Sequence, residues 1–92
     1  MATPKRIAVV VRDRESEALR MALGLTLADD VVDVYVVDRR LTASDDDLMN
    51  LELLKELGVG VYSDCSDDPH AEYRPAAQIA RELAAHDHVL PY

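Results

Sequence analysis

Ile7-Ala8-Val9-Val10-Val11 decides the fold. These five consecutive apolar residues, four of them β-branched, stand between Lys5-Arg6 and Arg12-Asp13-Arg14. So short an uninterrupted run is a strand buried on both faces, the kind that occupies the middle of a parallel sheet, not one that alternates towards solvent. Working outward, Arg14 to Ala28 places Leu19, Ala22, Leu23 and Leu27 at spacings of three and four. Ala18, Met21 and Leu25 widen the stripe, and the spacing predicts an amphipathic helix. Asp29-Asp30 ends it, and Val31 to Val37 is again β-branched and too short for a helix of ordinary length, so it is a second strand.

Ser44 with Asp45 and Asp47 supplies an N-cap and first-turn acids for a second helix. That helix carries Leu48, Leu51, Leu54 and Leu57, with Met49 and Leu53 alongside, and Gly58 closes it as a left-handed residue. Val59 to Tyr62 forms a short third strand, and Ser63 to Pro69 is loop. Pro75 opens a last helix lined by Ala76, Ile79, Ala80 and Leu83, and His88 to Tyr92 forms a brief fourth strand cut short by Pro91. The predicted order is β-α-β-α-β-α-β. That pattern implies right-handed crossovers and a three-layer α/β/α fold on a mainly parallel sheet of about four strands.

A chain of 92 residues, read as 1–92, makes one domain. There is no Phe or Trp and only four Tyr, so aliphatic side chains fill the core. The net charge is −8, unevenly spread: residues 1–44 hold seven basic and seven acidic side chains, residues 45–92 three and eleven. That balance argues against nucleic acid or an anionic membrane surface as partner, because both recruit Lys and Arg to phosphates. No segment approaches the roughly 18 apolar residues of a membrane span. The apolar stretch after Met1 to Arg6 is too short for a secretory leader. A single cysteine permits no intrachain disulfide, and a reducing cytoplasm is the expected compartment.

In an open parallel sheet the loops leaving each strand gather on the carboxyl edge, where ligands bind. The reading therefore brings Arg12 and Arg14, Arg39 and Arg40, and Cys65 onto one rim. Arginine beside a thiol favours the thiolate; Asp64, Asp67 and Asp68 oppose it. The alternative is a packing cysteine with solvated arginines. His70, His86 and His88 do not match the usual zinc spacings with Cys65, and neither a metal nor a cofactor is expected. Without a Gly-rich phosphate loop or C-x-x-C, single-cysteine chemistry is the enzyme option that remains.

Several stretches in order resemble the DsrE/DsrF-like family of small sulfur-relay proteins. They are Arg6 to Val11, Ser16 to Leu23, Val34 to Asp38, and Leu54 to Tyr62 with a cysteine just after, followed by Ala85 to Tyr92. The resemblance implies a cysteine, here Cys65, that accepts sulfane sulfur as a persulfide and hands it to a sulfur-carrier partner. It also implies assembly into trimers or hexamers. Arg12, Arg14, Arg39 and Arg40 would support the thiolate or bind anions. A competing expectation is a non-catalytic assembly subunit that docks a basic partner through the acidic second half. Tyr35, Tyr62, Met49 and the alanine-rich face of the last helix are candidate contact residues for a homo-oligomer.

Overall fold

The computed structural model describes residues 4–92, so Met1–Thr3 and that part of the stretch read for a leader lie outside the described residues. Strand β1 (Arg6–Val11) is paired on both sides and buried, as its apolar run predicts, but it lies one place off the middle of the sheet. On one side it pairs with β2 (Val31–Val36), in the register Val9 to Val34; on the other it pairs with β5 (His88–Pro91), with Val9 opposite Leu90. Beyond β2 lie β3 (Gly60–Ser63) and β4 (Glu72–Tyr73). The sheet order is β4-β3-β2-β1-β5, and every pair is parallel.

Helices α1 (Glu15–Leu27) and α2 (Asp45–Glu56) cover one face; α3 (Ala76–Leu83) covers the other. Right-handed crossovers explain this division. The chain steps outward from β1 to β4 on one face, then returns past β1 to β5, and reversing the direction of travel moves the crossover helix to the opposite face. The larger core contains Val9, Val11, Leu19, Val34, Leu51 and Leu54, and the smaller gathers Ala8, Tyr35 and Ile79 under α3. The three-layer α/β/α architecture is thus as the sequence predicts. Among the described residues no helix is long and apolar enough to cross a membrane.

Local chemistry sets the boundaries. Ser44 Oγ accepts from the Asp47 amide at 3.3 Å and caps α2, and Gly58 takes a φ of +87° beyond its end. After α1 the left-handed residue is Asp29, at φ 69°, where no glycine is present. The Pro75 carbonyl accepts from the Gln78 and Ile79 amides at the start of α3.

Three expectations are corrected. The sheet has five strands: β4 escapes periodicity because it is two exposed residues long, and it is held by pairing Tyr62 to Glu72 and Ser63 to Tyr73. Residues 64–71 therefore form a crossover without a helix, with Ala71 against the larger core. Tyr35 is only 1% exposed, so it is a core residue and no contact residue. Leu27 and Leu57, assigned to apolar stripes, and Met21, which widens one, are exposed, as are Met49 and Leu53 alongside the α2 stripe; Leu19, Ala22, Leu51 and Leu54 fill the inward faces of α1 and α2.

Beneath α3 the core is partly polar. Glu82 accepts from Tyr35 Oη at 2.9 Å, from Arg74 Nη1 at 2.6 Å and from Gln78 Nε2 at 2.9 Å. Arg74 also lies 4.0 Å over the Tyr62 ring. His86, three residues past α3, places Nε2 2.8 Å from Asp33 Oδ2 and Nδ1 2.7 Å from the Glu82 carbonyl.

Candidate functional site

The crossover direction reverses between β1 and β5, and the loops above β1, β2 and β3 share the carboxyl edge. Among the open depressions there, two meet at Asp38. One sits at the reversal point and includes Arg12, Arg14, Val37, Asp38 and Tyr92. The other, about 360 Å³, follows β2 and β3 and is lined by Asp38, Arg39, Arg40, Asp64 and Cys65.

Cys65 lies two residues past β3 and is partly exposed. Its amide donates to Oγ of the buried Ser63 at 3.0 Å, and its carbonyl accepts from Asp68 at 3.4 Å, so the thiol projects from a tight turn. Sγ donates to Asp67 Oδ1 at 2.7 Å, and Arg40 Nη1 lies 3.6 Å from Asp67 Oδ2. The hydrogen bond to Asp67 pushes the thiol above its ordinary value, while Arg40 pulls in the other direction. Asp67 is held low, first by accepting from the thiol and second by Arg40. Chemically this is a protonated thiol with a proton acceptor in contact and a cation behind the acceptor.

The other three arginines are engaged elsewhere. Arg39 turns inward, its Nη2 3.2 Å from Glu15 Oε1 and its Nη1 donating to the Arg12 carbonyl at 3.1 Å. Arg14 pairs with Glu17 at 3.2 Å and lies over the Tyr92 ring. Arg12 stands 3.7 Å from Asp38 at the rim of the first depression. Only Arg39 and Arg40 line the Cys65 depression, and only Arg40 acts on the thiol group. The three aspartates divide in the same way. Asp64 accepts from the Asp38 amide at 3.1 Å, and buried Asp68 accepts from the Leu41 amide at 2.8 Å and the His70 amide at 3.0 Å. Asp67 alone opposes thiolate formation by contact.

Glu15 is the residue that sequence reading missed. It is 5% exposed, and its carboxylate accepts from Thr42 N, Thr42 Oγ1, Ala43 N and Arg39 Nη2. It fixes the loop that presents Arg39 and Arg40, and Asp64 and Asp68 tie that loop to the Cys65 turn. The one available signal is an acidic first-turn residue where the apolar stripe of α1 begins, which by itself reads as a response to the helix dipole. Asp38 at φ 59° and Ala43 at φ 51° are both left-handed, so strain accumulates in this loop. The histidines do not converge on Cys65, since His86 faces Asp33, and among the described residues no three His, Cys, Asp or Glu side chains are grouped as a metal ion requires.

Fold and site together define a small doubly wound α/β protein with a single thiol on the carboxyl edge of its sheet. No known protein family, curated protein or solved structure matches the chain.

Proposed function

We propose that this chain is a DsrE-like sulfur carrier that takes up sulfane sulfur as a persulfide on Cys65. The observation that carries the reading is the contact between Cys65 Sγ and Asp67, backed by Arg40, in an open depression on the carboxyl edge. A persulfide donor, R–S–SH, enters the depression, and Asp67 takes the thiol proton as Sγ attacks the outer sulfur of the donor. The donor S–S bond breaks, its electron pair stays on the inner sulfur, and the proton passes to that leaving thiolate. The products are Cys65–S–SH and R–SH, with no net oxidation. A persulfide is more acidic than its parent thiol, so the carried group is an anion that Arg40 and Arg39 can hold. Transfer to a sulfur-carrier partner repeats the exchange in the other direction. A trimer or hexamer in a reducing cytoplasm belongs to the same reading.

Cold cyanolysis after incubation with a low-molecular-weight persulfide tests it. Wild type is expected to release one thiocyanate per chain and Cys65→Ser none. Equal release from both proteins, or none from wild type, overturns the proposal.

A further inference from the structure

The outer face of α2 has no task within the fold. Met49, Leu53 and Leu57 recur every four residues and are 69%, 41% and 43% exposed, whereas Leu51 and Leu54 of the same helix are buried and already fill its core stripe. Carboxylates surround the exposed row. Asp45 and Asp46, in the first turn, complement the helix dipole. Glu52 and Glu56 do not: they lie in the later turns, where the dipole disfavours negative charge, and among the described residues neither forms an ion pair. Lys55, the helix's basic residue, is engaged with the His70 carbonyl at 2.7 Å.

We propose that this face docks a cationic amphipathic helix of another protein. Its apolar residues would cover Met49, Leu53 and Leu57, and its Lys or Arg side chains would meet Asp45, Glu52 and Glu56. A second copy of this chain is a poor occupant, because apposing two α2 faces sets carboxylates against carboxylates. The face also has the dimensions of one helix, since twelve residues span about 18 Å. The surface narrows the expectation that the acidic second half as a whole attracts a basic partner. Asp64 and Asp68 are committed to backbone amides and Glu82 to Arg74, which leaves α2 as a docking element. The proposal is independent of Cys65.

A fluorescent peptide of about 14 residues, built only from Leu and Lys in helical register, serves as the probe on the full chain. Anisotropy should report binding to wild type and to Cys65→Ser alike, weakening as ionic strength rises. Met49→Glu, Leu53→Glu and the pair Glu52→Lys, Glu56→Lys should each weaken it by about tenfold or more. The same peptide with Glu in place of Lys should not bind. Met49 is the most exposed of the row, so its variant keeps the fold, which circular dichroism checks. Absence of binding to wild type, equal binding by all variants, or a wild-type dimer in sedimentation that Met49→Glu converts to monomer overturns the proposal.

Discussion

Asp67 governs the charge state of the one thiol. Because it accepts from Cys65 and holds the thiol high, Asp67→Ala is expected to lower the thiol pKa; with Arg40 left beside the sulfur, the fraction present as thiolate at neutral pH rises. Arg40→Ala is expected to raise it further. Thiolate absorbance followed against pH reads both shifts, and movement in the opposite direction for either variant contradicts the assignment. The sequence carried the thiol, the aspartates and the arginines to one edge, but could not distribute them. Which arginine reaches the sulfur depends on Glu15, a residue 24 positions before Arg39 whose buried carboxylate captures that guanidinium. Which aspartate opposes it depends on the amides that occupy Asp64 and Asp68. Ala43 offers a second check at this scale: it sits at φ 51°, where a Cβ is strained, and Ala43→Gly is expected to stabilise the fold by about 0.5–1 kcal/mol in urea unfolding.

Among the elements, those with strong patterns were legible and those held by pairing were not. Val9-Val10-Val11 and Val34-Tyr35-Val36 carry their burial in their composition, and the Ser44 cap and Gly58 terminus carry the ends of α2. Glu72–Tyr73 carries nothing comparable, because a two-residue edge strand exists only through its neighbour β3. The apolar row of α2 was legible as apolar but not as outward-facing, since its face is chosen by α1 and the sheet. Ser44→Ala should cost about 1 kcal/mol through the lost cap. Glu15→Ala should cost more, about 2–3 kcal/mol, because it leaves the Thr42 and Ala43 amides without their acceptor. Thermal denaturation of the two variants ranks them, and the reverse order would show that Glu15 does not anchor the loop.

For the molecule as a whole, the network beneath α3 shapes the dependence of stability on pH. Arg74 first, and Tyr35 and Gln78 after it, hold Glu82 below its ordinary value of 4.5. Its contribution is therefore present above that value and lost as pH falls below it. Burial first, and then Glu82, raises Tyr35 above its ordinary 10.0, so its contribution is complete below that value and is lost as pH rises past it. Urea unfolding followed across pH should trace a plateau with both limbs, and Tyr35→Phe should flatten the alkaline one; an unchanged alkaline limb would remove Tyr35 from the account. The net charge of −8 divides in the same structural terms. The neutral first half supplies the arginines of the carboxyl edge, and much of the acidic second half is spent on internal contacts, α2 excepted. The central claim concerns the edge, and intact-mass spectrometry after incubation with a persulfide donor tests it most directly. Wild type is expected to gain the mass of one sulfur atom and Cys65→Ser to gain nothing, whereas equal loading of both proteins, or of neither, would contradict a sulfur carrier built on Cys65.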